Sequence, residues 1–290
     1  YNVTSAGSVG SAVITSLTNA RFQSVNMTTS GGSFLFICNG ADAPRHWNGS
    51  SWATPTLGSV TAANIINVEV YKERLFFVLK DSLTYGYLPV NAVAGTVASV
   101  NLGSVFSKGG KIMAIATWTR DGGAGPDDNI LFFTDQGEIA MYSGTDPSDA
   151  TKWGLVGVYT VGRPIGHRCM LKVGSDCYLV TENGLLPMTQ VLGTGEAAPN
   201  VALSDKISSS YNSSVVEFKG TFGWQGVVYP KGGYAAVNAP SSTVGDFIQY
   251  IINLETGAWS RFTNQNAYVW AVFNSDLYFG GNTKVHKADS

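Results

Sequence analysis

Short apolar runs bounded by Gly, Asn, Asp and Ser recur along the whole chain, and helix-length amphipathic periodicity is scarce. Residues 75–79 (LFFVL) turn at Asp81–Ser82 into LTYGYL. Residues 130–134 (ILFFT) turn at Gln136–Gly137 into EIAMY. Residues 177–181 (CYLVT) turn at Asn183–Gly184 into LLPM, where Asn-Gly is a strong two-residue hairpin signal. Residues 247–253 turn at Glu255-Thr256-Gly257 into AWSRF, and residues 268–273 turn at Asn274–Ser275 into DLYFG. The pattern predicts a chain of antiparallel hairpins.

One strand type repeats. FLFIC begins at Phe34, LFFVL at Leu75, LFFTD at Leu131, YLVTE at Tyr178, YAAVN at Tyr234 and LYFGG at Leu277, at steps of 41, 56, 47, 56 and 43 residues. The mean step is about 49 residues, the size of a four-stranded propeller blade with its loops. Six such units fill the chain. The expected fold is therefore all-β: a six-bladed β-propeller of four-stranded antiparallel blades, one domain over residues 1–290. The C-terminal unit offers only three strands. Residues 11–17 (SAVITSL) alternate like a strand and have no hairpin partner, so this N-terminal strand is expected to close the ring on the last blade, removing an open edge.

Three tryptophans follow polar turns: Trp52 after WNGSS, Trp153 after GTDPSDATK and Trp259 after NLETGA. Their separations of 101 and 106 residues are about two blades each. A large ring just past the turn between the third and fourth strands is placed to cover the gap between neighbouring blades, so these three are the candidate inter-blade aromatics. The alternative is ordinary cross-strand aromatic pairing.

Composition narrows the function. Hydrophobic residues make up 44% and charged residues 13%, with a net charge of −2 and 34 glycines. That excludes a disordered chain. Without a visible basic stripe, a dedicated nucleic-acid binder is also disfavoured. The low charge suggests that much of the surface is polar but uncharged, or is covered by a partner. Three cysteines are too few, and odd in number, for a disulfide framework. Pairing about a turn at Gly174–Ser175 sets Cys177 opposite Lys172. That puts it about three residues, or roughly 10 Å, out of register with Cys169, too far to bridge. All three cysteines read as buried hydrophobes. No run approaches the ~18 apolar residues of a membrane helix. The sequence starts at Tyr1 without a methionine or a signal-like segment, and is expected to be part of a longer or trimmed chain.

The stretch from DDNILFFTDQGEIAMYSGTDPSDATKWGLVGVY through RPIG to VTENGLLP has a distinctive order of turns. With GGSFLFICNGADAPRHWNGSSW and NLETGAWSRF…DLYFGG, it resembles the tail and head-to-tail stabilisation (nozzle-type) proteins of short-tailed bacteriophages. The resemblance spans most of the chain and rests on turns rather than on chemistry. It implies a virion location in the phage tail and several copies in a connector ring around the DNA channel. The implied partners are other copies of the chain, neighbouring tail or portal-adaptor proteins, and genomic DNA in passive contact.

Candidate chemistry is sparse. His46, His167 and His286 lie too far apart for a short-spaced metal motif, and no G-x-S-x-G elbow occurs. GGAGPD within DGGAGPDDN matches the start of a calcium-binding nonapeptide, with Asp121, Asp127 and Asp128 as would-be ligands. The stretch occurs once, however, and reads as an acidic hairpin tip. In SGTDPSDATKW, Asp146 stands seven residues before Trp153, which breaks the sialidase turn pattern. No catalytic residue, metal or cofactor is expected, and a non-enzymatic role follows. The rival class is a carbohydrate-binding propeller, an adhesin or receptor-binding module. Trp47 in HWNGSSW, close to a loop tip, is its best candidate ligand contact.

Overall fold

The computed structural model describes residues 11–121, 126–194, 202–242 and 245–288. Six antiparallel sheets follow one another along the chain as the blades of a propeller. Blade one is Gln23–Thr29, Gly32–Cys38, Arg45–Trp47 and Trp52–Ala53. Blade two is Ile65–Tyr71, Arg74–Leu79, Thr84–Tyr87 and Ala98–Asn101, with a two-residue parallel pair, Leu57–Gly58 and Gly95–Thr96, beside it. Blade three is Ile112–Asp121, Pro126–Thr134, Glu138–Gly144 and Trp153–Thr160. Blade four has three strands, Met170–Val173, Asp176–Thr181 and Gly184–Pro187. Blade five is Gln225–Tyr229, Tyr234–Pro240, Phe247–Asn253 and Trp259–Phe262, and blade six is Val269–Phe273, Asp276–Gly281 and Lys284–Lys287.

The six apolar runs that set the repeat are the second strands. Each lies between two strands of its sheet. Apolar cores join blade one to two, two to three, three through five, and five to six, so in the inner blades a continuous apolar run is favoured over alternation. Leu75, Phe76, Phe77 and Val78 are all fully buried. Phe132 and Phe133 show how one strand serves two interfaces. Phe132 stacks 4.4 Å from Tyr85 of blade two, while Phe133 joins the core shared by blades three, four and five. Full burial of each such ring contributes about 2–3 kcal/mol.

Register follows the hairpins. Val173 pairs with Asp176 and Lys172 with Cys177, and all three cysteines are free and buried. Burial pushes the Cys169 thiol up to about 12. Asn274 and Ser275, with φ of 49° and 64°, form the left-handed two-residue turn of blade six. In blade four, by contrast, Thr181 pairs with Gly184, so the turn is Glu182–Asn183 rather than Asn183–Gly184. The Thr181 hydroxyl donates to the Gly184 carbonyl at 2.9 Å, which fixes the shifted register.

No fourth strand of blade four occurs among the described residues. Helix α1 (Met188–Thr194) follows the third strand instead, and helix α2 (Ser208–Phe218) buries Tyr211, Val215 and Phe218. The Tyr211 hydroxyl donates to the Thr181 carbonyl at 2.7 Å, and the Tyr250 hydroxyl of blade five donates to the Ser210 carbonyl at 2.8 Å. Helix α2 thus bridges blades four and five.

The expected closure by residues 11–17 is corrected. They form no strand, and blade six remains three-stranded. Ser16 has φ 59°, a left-handed conformation that interrupts extended pairing, and Val13 is 59% exposed. The segment is tied down just beyond, where the Thr18 amide and hydroxyl donate to Asp42 at 2.9 and 2.7 Å.

Candidate functional site

Every blade runs in the same direction, so the starts of the first strands gather at one end of the axis. The ends of the antiparallel second strands lie beside them. This places the segments 19–23, 166–168 and 219–224 together with the loops at 39–41 and Lys80, around one mouth of the channel. They enclose a cavity of about 350 Å³.

The mouth is cationic. Arg21, Lys80, Arg168 and Lys219 line it, and no Asp or Glu does among the described residues. Lys219 reaches Glu182 at 3.1 Å, and the other three have no carboxylate within ion-pair distance among the described residues. The Arg21 and Arg168 guanidinium groups both pack on the Phe222 ring, 5.0 and 4.9 Å from its centre. Asp42 stands on the blade-one loop but is already held by Asn39 and Thr18. Their hydrogen bonds keep its carboxyl below the usual range.

Arg168 is fixed by the core of the ring. It donates to Gln225 Oε1 at 2.9 Å and to the Tyr268 carbonyl at 3.0 Å, spanning blades four, five and six. Gln225 in turn accepts from the Trp270 amide and donates to the Trp270 carbonyl. Burial pulls the Arg168 pKa down to about 10, so the group stays charged at neutral pH. Next to it, His167 Nδ1 contacts the Met113 carbonyl at 2.5 Å, and the His167 carbonyl accepts from Asn67 at 3.0 Å. Burial lowers the His167 pKa, against the opposing effect of the Met113 hydrogen bond. Gln23 is 9% exposed and lines the same cavity, and its side-chain amide has no hydrogen-bond partner among the described residues.

The tryptophans take three different positions. Trp153 stacks on Phe76 of blade two at 5.8 Å and on Tyr142 of its own blade at 5.6 Å. Trp259 packs at the edge of the core of blades three to five, and its Nε1 donates to the Leu203 carbonyl at 2.9 Å. Trp52 pairs across its hairpin with Trp47, ring centres 5.6 Å apart, and both are half-buried. The three preceding turns share one device: an Asn or Asp side chain that accepts from the backbone amide two residues ahead and, for the two asparagines, also from the one three ahead. Asn48 accepts from Ser50 and Ser51, Asn253 from Glu255 and Thr256, and Asp149 from Thr151.

Other motifs resolve individually. Asp128 is engaged by Lys72 and by the Thr119 hydroxyl at 2.8 Å, while residues 122–125 and the side chains of Asp121 and Asp127 lie outside the described ones. No cluster of three metal-ligating residues occurs among the described residues. His46 stands edge-on to Phe34, and His286 stacks on Phe279.

The rim carries a second feature. The outermost strand of blade three, Trp153–Thr160, has no charged residue, and Leu155, Val156 and Val158 are 47%, 48% and 37% exposed. Blade six, opposite in a six-membered ring, exposes Val269, Phe273 and Val285. Val269 and Val285 both flank Gly280, on the sheet face turned away from the Trp270 and Leu277 core shared with blade five.

No family model and no curated protein sequence matches this chain. Solved structures do. One, "YCF48 bound to D1 peptide", superposes with a TM-score of 0.52 at 10% identity, covering 94% of this chain and 87% of that one. Another, the crystal structure of a "putative 6-phosphogluconolactonase" from Bacteroides uniformis, gives 0.50 at 12% identity, covering 91% and 83%. At such identity the likeness shows a shared fold and carries no activity across.

Proposed function

We propose that the protein is a non-catalytic building block of a homomeric ring, part of the tail or head-tail connector of a short-tailed phage virion. The observation that carries this reading is the uncharged, apolar edge strand Trp153–Thr160. Solvent-facing edge strands are usually protected by lysines, prolines or bulges, because a bare edge recruits another chain. This edge carries no lysine or proline, its one irregularity being a bulge at Val156, and its exposed Leu155, Val156 and Val158 make an apolar patch suited to cover by a partner. The exposed apolar face of blade six, with Val269, Phe273 and Val285, is a second patch unlike the first in strand and sequence. A head-to-tail contact between unlike patches closes into a ring when its rotation permits. The occupant of each patch is therefore a second copy of this chain. Neighbouring tail or portal-adaptor proteins lie above and below, and DNA passes through the assembled ring. The resemblance of the turn sequences to those of nozzle-type tail proteins supports the same reading.

Size-exclusion chromatography with light scattering tests it. The intact chain at tens of micromolar is expected to run as a multimer, and Leu155→Glu with Val158→Glu as a monomer with unchanged circular dichroism. Mass spectrometry of purified virions is expected to find the chain in the tail fraction. A strictly monomeric chain that is absent from virions would overturn the reading.

A further inference from the structure

We infer that the channel mouth is a binding site for a phosphate monoester, with the dianion held by Arg21, Lys80 and Arg168 and the Gln23 amide. This inference does not rest on ring assembly, since the site lies within one propeller.

Three cationic side chains converge here with no ion pair to a carboxylate among the described residues, Lys80 acting only at longer range on the Asp81 carboxyl. They come from different parts of the chain: Arg21 precedes blade one, Lys80 leaves the second strand of blade two, and Arg168 precedes blade four. Like charges repel, and gathering them at the mouth of a cavity is unfavourable unless an anion offsets it. Arg168 makes this plainest: it donates to a neutral amide oxygen and a backbone carbonyl and packs on the Phe222 ring, with no carboxylate in ion-pair distance among the described residues. These orient the guanidinium and leave its charge uncompensated.

The second observation is independent of charge. Gln23 is buried and lines the cavity, yet its amide is unpartnered among the described residues. The Gln23 amide is not a fully buried unsatisfied group: it opens onto the cavity and is available to donate to a ligand there. A phosphate oxygen accepts from the amide NH₂ while the Arg21 fork and the N–H donors of Arg168 not given to Gln225 and Tyr268 take the others.

Charge and shape select the ligand class. Three cations outside any ion pair match a dianion better than a monoanionic carboxylate, and the planar Arg21 guanidinium suits phosphate oxygens. Phe222, Trp224 and Ile66 supply an apolar wall for the body of the ligand. The cavity, about 350 Å³, admits a molecule of roughly hexose-phosphate size.

Isothermal titration calorimetry at low ionic strength tests the site with four probes: inorganic phosphate, glucose 6-phosphate, glucose and acetate. Saturable binding of both phosphates, mutual competition between them, and no saturation by glucose or acetate are expected. Arg168→Gln and Arg21→Gln are each expected to weaken glucose 6-phosphate by about tenfold or more. Arg21 is exposed and outside the core, so its variant separates lost binding from lost folding. Lys284→Gln, on the last strand of blade six, should bind as the wild type does. Absence of phosphate binding up to about 10 mM, unchanged affinity in Arg21→Gln, or acetate binding as tightly as phosphate would each overturn the inference.

Discussion

Trp153→Ala removes the ring that ties blade three to blade two. In the native protein that ring stacks on Phe76 and Tyr142 at 14° and 16° and meets Tyr71 edge-on at 5.9 Å. Truncating a well-packed tryptophan to alanine costs about 3–5 kcal/mol. Trp153 is half-buried, which favours the lower end, so a loss of about 3 kcal/mol is expected. Its Nε1 is an orphan: Tyr85 is electrostatically close but out of hydrogen-bond geometry, and both polar atoms lack partners. Trp153→Phe keeps an aromatic face and removes the unpaired N–H, so it should cost no more than about 1 kcal/mol. Urea unfolding followed by circular dichroism measures both. A double-mutant cycle with Phe76→Leu should return a coupling of about 1 kcal/mol, the size of an aromatic pair beyond its area burial. A loss below about 1 kcal/mol for Trp153→Ala, or zero coupling to Phe76, would refute the claim that this ring holds the two blades together.

Further outcomes follow from single positions. Gly144 has φ 127°, and a Cβ there would lie 1.9 Å from the Lys152 carbonyl oxygen, so Gly144→Ala should destabilise by about 3 kcal/mol or more in the same assay. Burial alone would raise the Glu138 pKa, but hydrogen bonds from the Ser107 hydroxyl and the Ser107 and Lys108 amides outweigh it and lower the value. A depressed carboxylate stabilises the fold above its unfolded pKa and loses that contribution as pH falls through the folded one. The stability gap between wild type and Glu138→Gln should therefore be full at neutral pH and shrink below about pH 4.5. Burial pushes the thiols of Cys38, Cys169 and Cys177 up, so none should react with a thiol reagent in the native state and all three should react in denaturant. A glycan array should show no saturable binding dependent on Trp47, whose face is taken by Trp52; binding lost in Trp47→Ala would favour an adhesin.

The blade count was legible because the second strands lie inside their sheets, and in blades two to five they are buried on both faces, which needs largely unbroken apolar runs. Phe34, Leu75, Leu131, Tyr178, Tyr234 and Leu277 all sit in second strands. The Lys172–Cys177 register was legible from a symmetric hairpin. Helix α2 was not foreseen, since its core-facing Tyr211, Val215 and Phe218 are separated by a serine-rich run that looks like a loop. The turn at Glu182–Asn183 defeated the Asn-Gly rule because the Thr181 side chain bonds across it. Residues 11–17 alternate correctly, yet backbone conformation at Ser16 decides their fate. The cationic mouth left no local signal. Arg21, Lys80 and Arg168 are each alone in their own stretch, and only the ring topology brings them together.

Cryo-electron microscopy of the assembled protein tests the proposed role most directly. The account predicts a closed ring in which residues 153–160 of one copy are covered by the apolar face of blade six of the next. Particles that stay single, or copies joined through other surfaces with Leu155, Val156 and Val158 left in water, would contradict it.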